Sequence, residues 1–248
     1  VVVGTATPMA MVEDPAGRGH TVKIGTLVGK LDRAESWLLR AVGVARRRDL
    51  NAYGQAYIAL ARISEQRGDR ARARDRWILA VRAGRRGAMK DLRGKALHGL
   101  MRLFLDEGDL TEAARFARLA HKFIGRPDHP DRLALAADFA EVLVRSGAAG
   151  RARALLRDLL PRAAAEPGIR MYLNALHALA LAYDEDRSGA MADVWTAAWG
   201  LAGENEGTDL AVRTFLTLAA AARKSGNFAS SRRAEEAARR SIRTGLDR

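Results

Sequence analysis

Gly25-Thr26-Leu27-Val28-Gly29-Lys30 is the part of this 248-residue chain that comes nearest to a phosphate-binding loop. Such a loop cradles phosphate with backbone amides, and the Ser or Thr after its lysine holds magnesium. Here the glycine spacing is one residue short and Leu31 takes the metal-holding place, so the segment reads as a turn before a helix. His121, Asp128 and His129 are metal-ligand types close in sequence, but Gly125 and Pro127 interrupt any helix that would hold them on one face. Asp184-Glu185-Asp186 lacks the bidentate glutamate of a calcium loop, since Trp195 stands twelfth. His129-Pro130-Asp131 reads as a helix start, because proline at the first helical position loses no hydrogen bond. The chain has no cysteine, which excludes disulfides, thiolate nucleophiles and cysteine-ligated zinc. Its serines fall on helix faces or in turns without a GxSxG elbow, and Glu235-Glu236 are adjacent, not convergent. The expectation is a non-enzymatic protein with no cofactor and no metal.

Charge is the stronger signal. Net charge is +13, and residues 40–95 hold 16 Lys/Arg against 5 Asp/Glu, so most of the excess sits near one end. Arg46, Arg47, Arg48, Arg82, Arg85, Arg86, Lys90, Arg93 and Lys95 fall near expected helix ends and form a candidate basic patch along one edge. Arg70, Arg72, Arg74 and Arg76 alternate and spread around one helix. Trp37, Trp77, Trp195 and Trp199 stand at or near core positions, with Trp199 the exception because Trp195 already claims that place.

These groups need a frame, and the frame is periodic. Residues 1–28 read as an irregular arm, with Thr21–Val28 a weak helix or extended lead-in. From there, turn residues recur at Gly29, Gly68, Gly108, Gly147, Asp186 and Gly226, separated by 39 or 40. Five, nine and twelve residues after the turns come sets such as Ala73/Trp77/Ala80, Ala113/Ala117/Ala120 and Ala152/Leu156/Leu159. Eight and four before them come pairs such as Leu60/Ser64 and Leu100/Phe104. Small residues at the first offset let helices approach, and the larger one a turn later fills the groove. Asp109-Leu110-Thr111-Glu112 is a capping box, and Asp69 and Asn227 are simple caps.

The pattern Tyr57, Leu60, Ala61, Ser64, Gly68, Ala73, Trp77, Ala80 resembles the tetratricopeptide repeat. The resemblance covers about Gly29 to Thr244, with a period longer than the family's usual one of about 34 residues. It implies an all-α fold: an α-solenoid of about six helix-pair repeats spanning 29–248 and closed by a polar last helix. By the family's convention the first helix of each pair lines a concave groove. Transferred by offset, this makes Ile58, Arg62, His98, Arg102 and Glu141 partner-binding, with Asp138 and His177 one position away. The groove would run from basic through acidic to apolar.

The function expected is a protein–protein interaction module that holds a peptide or partner domain, acidic in character, in that groove. Two alternatives stand beside it: an effector-sensing segment of a larger bacterial transcription regulator, and nucleic-acid binding by segment 40–95, which is not favoured. No apolar run approaches the roughly 20 residues of a membrane span, so a cytoplasmic location is expected.

Overall fold

A computed structural model of the chain describes residues 9–13, 19–23, 31–45, 49–125, 129, 131–184 and 190–246. Gly29, Asp128, Pro130, Asp186 and Arg46–Arg48 lie outside them. The chain divides into two compact units, Val1–Arg132 and Leu133–Arg248, with the division at an inter-repeat junction.

Unit 1 opens on a two-stranded antiparallel hairpin, β1 (Met9–Glu13) and β2 (Gly19–Lys23), in register Met9 with Lys23. This corrects the reading of residues 1–28 as wholly irregular, and of the two readings of Thr21–Val28 the strand takes the extended one as far as Lys23, the rest lying outside the described residues. Two five-residue strands are too short to set up a visible alternation. Then come α1 (Leu31–Ala45), α2 (Leu50–Gln66), α3 (Arg70–Arg86), α4 (Lys90–Glu107) and α5 (Leu110–Ile124). Unit 2 contains α6 (Arg132–Arg145), whose first residue ends unit 1, then α7 (Ala149–Arg162) and α8 (Pro167–Tyr183). It closes with α9 (Ala190–Glu204), α10 (Asp209–Lys224) and α11 (Phe228–Leu246).

The turns fall where the period puts them. Gly68, Gly108, Gly147 and Gly226 each adopt positive φ, between 74° and 81°, at the turns of α2/α3, α4/α5, α6/α7 and α10/α11. A side chain there would meet its own backbone, which is why glycine recurs. Asp69, Asp109 and Asn227 cap the following helices, accepting from the amides of Arg72, Glu112 and Ser230 at 3.0, 3.1 and 3.1 Å. Asp109→Ala removes that acceptor and is expected to cost about 1 kcal/mol, read from the urea midpoint. His129 precedes α6, its Nδ1 accepting from the Asp131 amide at 3.1 Å, while the proline of the expected helix start lies outside the described residues.

The core follows the offsets too. Ala73, Ala80, Ala113, Ala120 and Ala152 are fully buried, letting the helices of a pair close on one another. In unit 1, Trp77 fills the space between α3 and α4 and packs with Ile58, Ala61, Leu92, Ala96 and Leu100. The unit 2 core is built from α6 to α11 around Leu156, Tyr172, Leu173, Leu176 and Leu218. Trp195 and Trp199 are both half-buried and stack at 6.3 Å, with Trp199 edge-on to Phe215 at 5.2 Å. α11 buries Ser231, Ala234, Ala237, Ala238 and Ser241 and exposes its arginines, the layout of an end cap.

Candidate functional site

Three polar constellations are positioned by these helices. The first lies on the face shared by α2 and α4. Arg62 and Arg102 both project from it with exposed surface, one repeat apart. Crowding by protein, and then the charge of Arg102 beside it, hold the Arg62 guanidinium below its ordinary value. Glu65, one turn from Arg62, is fixed beneath them by a 2.7 Å bond from Trp77 Nε1. Burial lifts the Glu65 carboxyl above its usual range, more than the Trp77 bond and the two arginines hold it down. The Trp77 ring occupies the space a side chain at Gly99 would need, since a Cβ there would stand 2.5 Å from it. The Trp77 ring and the Glu65 carboxyl thus fill the floor of this face, and Arg62 and Arg102 stand at its exposed rim. His98 is half-buried on the same helix as Arg102. Ile58 is not on the rim: it is 3% exposed and belongs to the Trp77 cluster, because α2 turns that side toward α3 and α4. That corrects its placement among the groove residues.

The second constellation is in unit 2 and joins α6, α8 and α10. Arg213 Nη2 donates to Asp138 Oδ1 at 2.7 Å, Glu141 Oε2 at 2.8 Å and the Tyr172 hydroxyl at 2.8 Å. The Tyr172 hydroxyl in turn donates to Glu141, and the guanidinium carbon stands 4.5 Å from the tyrosine ring centre. Burial raises the Tyr172 phenol well above its ordinary value, so it stays a donor. Burial alone would lower Arg213, but Asp138, Tyr172 and Glu141 hold it well above the usual arginine range. Asp138 and Glu141 were expected as partner-binding residues; here they are joined to Arg213, which the offsets had not picked out. His177, on α8, is half-buried.

The third is the arginine-rich run of α3. Arg76, read from sequence as one of four arginines spread around the helix, is 8% exposed. Its Nη1 reaches Leu60 O at 3.0 Å and Ser64 Oγ at 2.6 Å, and its Nη2 pairs with Glu35 of α1. Arg67 also pairs with Glu35, so one carboxylate ties α1 to the α2/α3 pair. Burial pushes Glu35 up, yet the bonds from Arg76 and Arg67 leave it below the usual carboxylate value. Arg72 and Arg74 are paired as well, with Asp69 at 3.3 Å and Glu107 at 2.6 Å.

The remaining basic-patch residues stand differently. Arg82, Arg85, Arg86, Lys90 and Lys95 are exposed and Arg93 is half-buried, lying 4.6 Å over the Phe123 ring. Lys95 meets Asp131 at 3.3 Å. Among the described residues no group of three or more His, Asp or Glu converges as a metal site would require, and no helix is long and apolar enough to cross a membrane.

An all-α array of helix pairs that repeats its own packing is the build of a helical-repeat fold. No family model matches the sequence, and no curated protein matches it. Solved structures do. The chain is similar to BtubC (BKLC) from P. vanneervenii at 19% identity and a TM-score of 0.62, over 88% of this chain and 92% of that one. It is similar to a putative kinesin light chain of Podosopora anserina with nearly identical TPR-like repeats, at 18% identity and a TM-score of 0.56. That match covers 73% of this chain and 90% of the other. A variant of the same protein gives 17% identity and 0.57, over 76% and 100%. The fold is that of the TPR-like α-solenoids, as the repeat pattern implied.

Proposed function

We propose that the chain is a non-enzymatic interaction module that captures a carboxylate-bearing segment of a protein partner on the α2/α4 face of unit 1. The TPR-like fold supports a protein partner in general terms. The observation that carries the finer reading is the juxtaposition of Arg62 and Arg102. Two guanidinium groups that repel one another, above a floor fixed by the Trp77–Glu65 bond, gain when an anion is placed between them. Guanidinium groups also match carboxylates in planar, bidentate geometry, which gives orientation as well as attraction. His98 stands on the same face and contributes to the rim. In unit 2, Asp138 and Glu141 are held by Arg213, and His177 stands on α8 five residues after Tyr172 of that network.

The test is selection of peptides from a displayed library on the intact chain, followed by calorimetry on those recovered. Acid-containing peptides are expected, and Arg62→Glu with Arg102→Glu is expected to weaken them by at least about 100-fold, as removal of charge-assisted bonds does. Selected peptides without acidic residues, or affinity unchanged in the double variant, would overturn the assignment.

A further inference from the structure

Cations lie at both ends of α3, α4 and α5, but the two ends differ in how many of them are paired. At the Gly68 and Gly108 turns the arginines are answered: Arg72 by Asp69, Arg74 by Glu107 and Arg115 by Glu112. At the other end the C-terminus of α3, the N-terminus of α4 and the C-terminus of α5 converge. A Cβ on Gly84 would stand 2.9 Å from the Arg93 amide nitrogen, and one on Gly94 would stand 2.9 Å from Phe123 Cβ. That convergence gathers Arg82, Arg85, Arg86, Lys90, Arg93 and Lys122. Four of them, Arg82, Arg85, Arg86 and Lys90, are exposed and form no ion pair among the described residues. The acids at this end are already engaged: Asp91 lies 3.7 Å from His129 Nε2 and Asp131 takes Lys95. Met89 gives the first turn of α4 no side-chain cap, so the amides there add to the positive field.

We infer that this edge binds the backbone of single-stranded nucleic acid. The choice over an acidic protein rests on two features. Spread cations on three helix ends suit a chain with one charge at every step, whereas a single carboxylate is already provided for on the α2/α4 face. Arg93, its guanidinium carbon 4.6 Å from the centre of the half-buried Phe123 ring, also offers a planar cation on which a base stacks irrespective of its identity. Discrimination between sequences is therefore small, and affinity follows the phosphates.

The experiment is fluorescence anisotropy of the intact chain with a labelled oligothymidylate of about 20 nucleotides, titrated in salt, beside a polyglutamate of similar length. Four to six phosphate contacts give a log–log slope of about −3 to −4, a loss of about 50- to 300-fold in affinity between about 50 and 200 mM salt. The triple variant Arg85→Gln, Arg86→Gln, Lys90→Gln, made only at exposed positions, is expected to reduce that slope by about 2 while circular dichroism stays unchanged. Arg62→Glu with Arg102→Glu is expected to leave the slope as it is, which separates this site from the peptide face. A flat salt response, polyglutamate binding as tightly as the oligonucleotide, or a triple variant that binds like the parent each overturns the inference.

Discussion

Arg213→Met is expected to destabilise unit 2 by about 3 kcal/mol, the low end of what breaking a buried ion pair costs. The reason is what remains. Asp138, with 5% of its side chain exposed, and Glu141, with 17%, keep their charges while losing the guanidinium that both contact in the joint α6/α8/α10 network. Arg145 reaches Glu141 at 3.5 Å and softens the loss there. Arg213 itself retains 26% exposure, so water partly screens the pair and the top of the range is not reached. Adding Asp138→Asn to Arg213→Met should recover a substantial part of the loss, because the stranded charge is then gone. Arg213→Lys should be intermediate, since the ammonium keeps the charge but not the planar group that lies over the Tyr172 ring. Hydrogen exchange is the readout. Amides of α6, α8 and α10 should exchange faster while those of α2 to α4 hold, and a shift under about 0.5 kcal/mol would show that the network contributes little to the fold.

The sequence made the repeat visible because a helix pair repeats its own packing. Gly68, Gly108, Gly147 and Gly226 share one backbone conformation, and Ala73, Ala113 and Ala152 share one steric task, so the same residue types recur at the same offsets. The Arg213 network recurs nowhere. Its contacts join residues 41, 72 and 75 apart, and at the position of Arg213 before the Gly68, Gly108 and Gly147 turns stand Gln55, Lys95 and Ala134, of which only Lys95 is a cation and it pairs with Asp131 instead. A weak signal existed: Arg213 stands three residues, one helical turn on the same face, before Leu216, which is as far ahead of Gly226 as Ile58 is of Gly68. Arg76 shows the opposite failure. Within an alternating run of arginines nothing in its own type distinguishes it, and it is buried only because Ser64, Leu60 O and Glu35 face it from two other helices. Ile58 was misplaced because a helix face is a continuum: it and Arg62 are one turn apart, and the boundary between core and surface runs between them. Arg62 and Arg102 were within reach of the offsets since both stand at the same distance before a turn.

Gly84→Ala should destabilise unit 1 by about 2 kcal/mol, against the sign that helix propensity gives. Propensity alone favours alanine over glycine in a helix interior by about 1 kcal/mol, and Gly200→Ala in α9 should show that gain, because nothing stands within 4 Å of the added carbon. At Gly84 the added Cβ would stand 2.9 Å from Arg93 N and 3.0 Å from Arg93 Cα and Cβ. Backbone cannot swing aside as a side chain can, so α3 and α4 must move apart and loosen the packing of Ala83 and Leu92. Urea midpoints moving in opposite directions for the two variants are the expected result, and a stabilised Gly84→Ala would mean that the two helices do not meet this closely. The same contact brings Arg85 and Arg86 alongside Lys90 and Arg93. Gly84→Ala should therefore also weaken oligothymidylate binding without removing a single charge, while Gly200→Ala leaves it untouched. A charge patch that depended only on composition would bind equally in both, so this pair of variants tests whether the glycine-closed junction of α3 and α4 is what makes the basic edge a site.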